Sequence, residues 1–146
     1  MVDIRPSTPA DAARVVEIWN RAVDATHDFL TPQDRAAIGA EVEGFLPAAP
    51  LVLAVDADDR PLGFMLVDGA HMEALFIDPH SRGQGVGRAL VAYALASQPE
   101  LTIDVNEQNA QAVGFYERMG FVATGRSDLD GQGRPYPLIH LRHQQV

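Results

Sequence analysis

The segment Arg82-Gly83-Gln84-Gly85-Val86-Gly87-Arg88 lies between an apolar run that ends at Asp78-Pro79 and a second apolar run, 86–97. Glycines at such a junction permit tight turning and let backbone N–H groups come close to an anion, and the start of a helix adds the positive end of its dipole. Arg82 and Arg88 bring local positive charge to a chain with 11 Lys+Arg against 20 Asp+Glu, a net charge of −9. The chemistry on offer is the cradling of a pyrophosphate. Gly-rich turns also serve packing alone, so the segment by itself does not decide. It satisfies neither the G-x-x-x-x-G-K-[ST] of a P-loop nor the dinucleotide G-x-G-x-x-G.

His71 and Glu73 are the second candidate pair. Two residues apart on an extended run, they project from one face, shared with Leu75 and Ile77, and both can address one substrate group. Histidine is suited to proton transfer near neutral pH. Glu73 either orients His71, relays its proton through water, or serves as the base itself; a water chain with no single base is the remaining option. His27, His71, His80, His140 and His143 show no i, i+4 helical pair or other ligand spacing, so no metal is expected. His80 reads as an exposed turn residue, and His140 and His143 have no evident chemical partner. Cysteine is absent, which excludes disulfides, thiolate metal sites and an acyl-cysteine intermediate.

These residues need a scaffold. A length of 146 residues and an apolar share of 47% suit one domain, 1–146, with a continuous core. Thr8-Pro9-Ala10-Asp11 is a helix start, followed by Ala12, Val15, Val16, Trp19, Ala22 and Val23 at helical spacing. Thr31-Pro32-Gln33-Asp34 starts a second helix running towards Phe45, with 25–30 as the connecting elbow. A short strand over 2–5 precedes them. Runs 51–55 and 62–67 read as a β-hairpin and 71–77 as a third antiparallel strand stopped by Pro79. Segment 86–97, apolar on nearly every side, reads as a helix packed against a sheet and its neighbours. Beyond it are expected a strand over 101–105, a helix over 109–119 capped by Gly120, a strand over 121–124, a polar loop over 127–135 and a strand over 136–142. Pro137 confines that last strand to an edge or to a strand start.

Two motifs in order carry a resemblance. Arg82-Gly83-Gln84-Gly85-Val86-Gly87 matches the R/Q-x-x-G-x-G/A signature of the GNAT acetyltransferases, and Asn109-Ala110-Gln111-Ala112-Val113-Gly114-Phe115-Tyr116-Glu117-Arg118-Met119-Gly120-Phe121 is similar to their N-x-x-A-x-x-F-Y-x-x-x-G-F helix. The order of elements agrees over essentially the whole chain, and the Thr26-His27-Asp28-Phe29-Leu30 elbow resembles the bacterial YjaB-type branch. The resemblance implies a single-domain α/β (α+β) GNAT fold, a mixed twisted sheet of about six to seven strands flanked by about four helices.

It also implies acetyl-CoA as cosubstrate. The backbone of Leu75, Phe76 and Ile77 would pair with the pantetheine arm. The turn with Arg82, Gly83, Gln84, Gly85, Val86, Gly87 and Arg88 would hold the pyrophosphate, and Asn109 would touch the cofactor. Tyr116 would give a proton to the departing thiolate, with Phe115 beside it as core. In the histone-acetylating branch the glutamate base precedes the glycine signature by about eleven residues, which falls here on His71. His27, Asp28 and Phe29 lie where the family's first helices wall the substrate; Asp28 would attract a cationic amine or serve as a loop or capping residue.

The function so implied is direct transfer of an acetyl group to a primary amine, taken as a peptidyl lysine, with a small-molecule amine as the alternative. A non-catalytic acyl-CoA sensor and a partner-binding domain are the rivals from other classes. Acidic composition argues against a nucleic-acid partner. No run approaches the length of a membrane span and no signal-type stretch opens the chain, so a cytoplasmic protein, monomer or homodimer, is expected.

Overall fold

The computed structural model describes residues 2–144. The described residues form seven strands and four helices, and the strand order in the sheet is β1-β2-β3-β4-β5-β7-β6. The strands are β1 (Asp3–Pro6), β2 (Val52–Val55), β3 (Pro61–Asp68), β4 (His71–Ile77), β5 (Thr102–Asn106), β6 (Phe121–Ser127) and β7 (Leu138–His143). The helices are α1 (Ala12–Thr26), α2 (Pro32–Phe45), α3 (Val86–Ser97) and α4 (Ala110–Arg118). The expected mixed sheet with four helices is therefore present. By its internal contacts the chain divides into two units, one holding the chain up to Leu66 with Ala74–Tyr93, the other Val67–Glu73 with the chain from Ala94.

In the first unit β1, β2 and β3 pair antiparallel, with Asp3 opposite Val55 and Leu53 opposite Phe64. Asp11 ends the 3-10 turn that leads into α1; its carboxylate accepts from the Thr8 N–H at 2.8 Å and from Arg5 at 2.9 and 3.0 Å. Those Arg5 hydrogen bonds hold the Asp11 carboxyl well below the usual carboxylate range. From there α1 buries Val15, Ile18, Trp19, Ala22 and Val23. Ile18 completes a face for which the spacing had suggested Val16, which is only half-buried. Trp19, Phe64 and Phe76 form an aromatic centre, with ring centroids 6.4 Å apart for Trp19 and Phe76 and 5.7 Å for Phe64 and Phe76.

Gly63 on β3 shows how tightly this centre closes on the segment that leads to the glycine turn. A Cβ there would sit 2.6 Å from Ile77 Cδ1, 3.0 Å from the Phe76 carbonyl oxygen and 3.1 Å from Val86 Cγ1. The Ile77 tip can swing away; the Phe76 carbonyl belongs to the backbone and cannot without bending β4. Gly63→Ala is expected to lower stability by about 1–3 kcal/mol, read as a fall in the urea midpoint at unchanged m-value.

The second unit is built on β5, which runs parallel to the start of β4 and antiparallel to β7. Pro137 permitted an edge strand or a strand start, and the second holds: β7 begins just after it and lies between β5 and β6, leaving β6 at the edge. Helix α3 buries one side only. Val86, Leu90, Val91 and Ala94 are buried, whereas Tyr93 is 55% exposed. The apolar composition of α3 thus overstates its burial, because alanine is a helix former that sits on surfaces without cost. Gly120 closes α4 with φ +98, the left-handed conformation that glycine adopts freely.

Candidate active site

The first unit carries the anion cradle. Strand β4 ends at Ile77; the N–H of Asp78 returns to the Leu62 carbonyl at 2.8 Å, and Asp78 caps the 3-10 turn Pro79–Ser81. Gly83 and Gly85 then take φ of +77 and +79, conformations that side chains resist, and α3 starts at Val86. The Gly85 carbonyl accepts the Ala89 N–H at 2.9 Å and so opens the helical ladder. Among the described residues, the N–H groups of Gln84, Gly85, Val86, Gly87 and Arg88 donate to no carbonyl and no side chain. These are the orphan donors of a helix start plus those of the turn before it, pointed at whatever anion occupies the site. Arg82, Gln84 and Arg88 are exposed, and neither arginine has an ion-pair partner among the described residues.

The turn is anchored from below by a buried ion pair. Arg14 on α1 reaches Asp78 Oδ2 with Nη2 at 2.7 Å and donates from Nε to the Pro61 carbonyl at 2.9 Å; its Nη1 is bonded to Glu17. Arg21, two turns on, lies 3.4 Å from Asp78 Oδ1, which also accepts the His80 N–H at 3.1 Å. The sequence had shown Asp78-Pro79 only as a strand stop. His80 is exposed, as expected of a turn residue.

Leu75, Phe76 and Ile77 form the last part of β4 and are half-buried. The parallel ladder to β5 joins His71 with Thr102 and Met72 with Ile103.

His27 closes α1, its N–H bonded to the Val23 carbonyl at 2.8 Å. Thr26 Oγ1 donates to the Ala22 carbonyl at 2.8 Å, so at 2.7 Å from His27 Nδ1 it accepts. Burial lowers the His27 imidazole pKa and favours its neutral form. The Phe29 ring lies 5.2 Å from that imidazole, and Asp28 is exposed in the elbow.

The second unit carries the residues suited to proton transfer. Asn109 caps α4, its Oδ1 accepting the Ala112 N–H at 3.2 Å, so its part in helix initiation is visible directly. Tyr116, on the buried face of α4, is 4% exposed between Phe115 and Phe121, with ring centroids 5.1 and 5.4 Å away. Desolvation pushes its phenol well above the usual range, so it stays protonated at every physiological pH.

His71 and Glu73 differ in their surroundings. Glu73 is exposed and has no hydrogen-bond or ion-pair partner among the described residues. His71 Nδ1 lies 2.7 Å from Thr102 Oγ1, and its Nε2 lies 3.6 Å from Asp104 Oδ2. The carboxylate that faces His71 is therefore Asp104 on β5, not Glu73. The reading of His140 and His143 also changes. His140 lies between Asp104 and Ser127, and His143 lies 3.1 Å from both the Pro99 and the Met119 carbonyl. No local pattern pairs these residues; the registers of β4, β5, β6 and β7 do. Among the described residues no group of three histidine or acidic side chains is arranged to hold a metal ion.

Comparison with known proteins gives this geometry its context. A family model described as an acetyltransferase (GNAT) domain matches residues 29–133. Peptidyl-lysine N-acetyltransferase YjaB of Salmonella typhimurium is 55% identical over 141 residues, 97% of this chain and 97% of that protein. The solution structure of the apo form of YjaB from Escherichia coli superposes with a TM-score of 0.95 at 53% identity, covering 100% of this chain and 99% of that one. The fold is also that of an N-acetyltransferase from Thermoplasma acidophilum solved with coenzyme A, at TM-score 0.80 and 17% identity, covering 99% of each chain. With a domain match across most of the chain and relatives above half identity along nearly all of it, this chain belongs to the GNAT acetyltransferases, enzymes that use acetyl-CoA.

Proposed function

We propose that this chain transfers the acetyl group of acetyl-CoA directly to the side-chain amine of lysines in peptides, as one cytoplasmic N-acetyltransferase domain spanning 1–146. The observation that carries the reading is the set of unpaired N–H groups from Gln84 to Arg88, flanked by two unpaired arginines in a chain of net charge −9. Such a cradle fits a diphosphate. The extended backbone of Leu75–Ile77 in the same unit suits the amide-bearing pantetheine arm. The lysine acceptor is supported by the relatives above, both in identity and in coverage.

Acetyl-CoA supplies an activated thioester carbonyl; the chain's own residues supply positioning and proton transfers. A lysine-type amine, with a reference pKa of about 10.4, enters protonated and has to lose a proton before it can attack. His71 takes that proton, with the exposed Glu73 or water beside it as the alternative path. Backbone donors of β4 stabilise the charge that develops on the carbonyl oxygen. Tyr116, kept protonated by burial, gives its proton to the departing sulfur. With no cysteine in the chain, no acyl-cysteine intermediate intervenes. His27, Asp28 and Phe29 line the approach of the acceptor.

The reading predicts that acetyl-CoA at about a hundred times its dissociation constant stabilises the fold by about 2.7 kcal/mol, seen as a rise in melting temperature. With labelled acetyl-CoA, lysine peptides should take up label in preference to polyamines, free amino acids and aminoglycosides. Melting unaltered by acetyl-CoA would remove the cofactor assignment, and label confined to small amines would replace the acceptor.

A further inference from the structure

Asp104 on β5, His140 on β7 and Ser127 at the end of β6 meet because Asp104 is directly opposite His140 and Ser127 is opposite Leu138. All belong to the second unit, as does His71. Ser127 Oγ lies 2.6 Å from His140 Nε2, and His140 Nδ1 lies 2.6 Å from Asp104 Oδ1. The other carboxylate oxygen, Oδ2, lies 3.6 Å from His71 Nε2. The side chains of His71, Asp104 and His140 are 32%, 38% and 34% exposed, so a substrate group can reach them.

The Thr102 hydroxyl has one proton; with that proton on the Ala70 carbonyl at 3.3 Å, the hydroxyl accepts from His71 Nδ1–H at 2.7 Å. In that tautomer neutral His71 has a bare Nε2, and that atom faces Asp104. Across 3.6 Å a lone pair and a carboxylate gain nothing from each other; once a proton enters, the pair becomes imidazolium and carboxylate. On the other side, His140 Nδ1–H donates to Asp104 and its Nε2 accepts from the Ser127 hydroxyl. Every donor in that arm points towards Asp104, which fixes the carboxylate with Oδ2 turned to His71.

We infer that Asp104 is the seat for the acceptor's ammonium and the counterion of His71, with His140 and Ser127 as the positioning residues that hold its carboxylate. This rests on the reading of the chain as an amine acetyltransferase. The ligand group it selects is a primary ammonium. One N–H bond of the ammonium breaks, its electron pair stays on nitrogen as the attacking lone pair, and the proton passes to His71 Nε2. Asp104 stays ionised, so one negative charge balances one positive charge before and after transfer. The other charged groups around His71 are Glu73 on the same strand, Asp68 at the end of β3, and Arg142, opposite Thr102 and already ion-paired with Glu100 at 3.2 Å.

The test uses the full chain and two readouts on Asp104→Asn and His140→Gln. Nitrogen-15 NMR of the imidazoles, recorded without any substrate, should show His71 with its neutral proton on Nδ1. In Asp104→Asn the Nε2 resonance of His71 should shift, and in His140→Gln it should shift less. With acetyl-CoA and a lysine peptide, kcat/KM of Asp104→Asn should drop at least about tenfold, with KM for the peptide raised. An unmoved His71 Nε2 resonance, or a neutral proton on Nε2, overturns the pairing; a moved resonance with unchanged peptide KM overturns the ammonium seat. Failure of the wild-type chain to acetylate any amine defeats the transfer reading instead, and the NMR spectra, which need no acceptor, still decide the pairing.

Discussion

Tyr116→Phe is expected to lower turnover with a lysine peptide by about a hundredfold or more while acetyl-CoA affinity stays within about twofold. The size follows from the role. A positioned proton donor contributes roughly 10²–10⁴ in rate, and a hundredfold corresponds to about 2.7 kcal/mol of barrier. The site makes Tyr116 suited to donation and unsuited to act as a base, because its phenol is buried among aromatic rings and desolvation holds it protonated. For the same reason the basic limb of the wild-type pH profile should not report Tyr116 ionisation. Phenylalanine keeps the shape of the residue and its packing on Phe121, so stability should be nearly unchanged and the loss assignable to the hydroxyl. Single-turnover kinetics would show it in the chemical step. Wild-type turnover in Tyr116→Phe would make Tyr116 a core residue and hand the proton to water; it would also reopen the acyl-CoA sensor reading, which needs the cradle and not the phenol.

What could be read from the sequence was what is local along the chain. The glycine turn was legible because Gly83 and Gly85 must take positive φ and the helix start at Val86 follows at once. The cap at Thr31 was legible too, and its hydroxyl accepts the Asp34 N–H at 3.1 Å. His71 and Glu73 could be placed on one face of a strand by alternation alone. Their different roles could not, because what distinguishes them is Asp104, 31 to 33 residues on, brought beside His71 by the parallel pairing of Met72 with Ile103. His140 had no partner within reach of any sequence pattern; its partners come from β5 and β6, on either side of a strand whose central place Pro137 had partly hidden. Composition misleads once, at α3, which is apolar on nearly every side although Tyr93 stands exposed. Side-chain periodicity thus finds faces, and register, which is set by non-local pairing, decides what stands opposite them.

Asp78→Ala is expected to cost about 3–5 kcal/mol of stability and, beyond that, to weaken acetyl-CoA binding. The Asp78 side chain is 4% exposed and that of Arg14 14%, so removing the carboxylate takes the buried counterion from a largely buried guanidinium and leaves it only the exposed Glu17, the costly way to break such a pair. Arg14 still holds the Pro61 carbonyl and Glu17, and Arg21 is exposed enough to turn to water, so the loss should centre on the Arg14 contact. Asp78→Asn separates charge from shape: it can still accept the His80 N–H and should lose only about 1.5–3 kcal/mol, the worth of hydrogen bonds to a charged group. The binding effect follows from position. Asp78 follows β4 and begins the turn whose later amides form the cradle, so loosening it lets Gln84 to Arg88 sample arrangements that do not converge on one anion. Urea unfolding gives the first quantity, and calorimetric titration with acetyl-CoA, at a temperature where each variant is folded, gives the second. If Asp78→Ala lost stability as expected yet bound acetyl-CoA with wild-type affinity, the ion pair would be an anchor of α1 alone, and the cradle would hold its shape through the glycine turn itself.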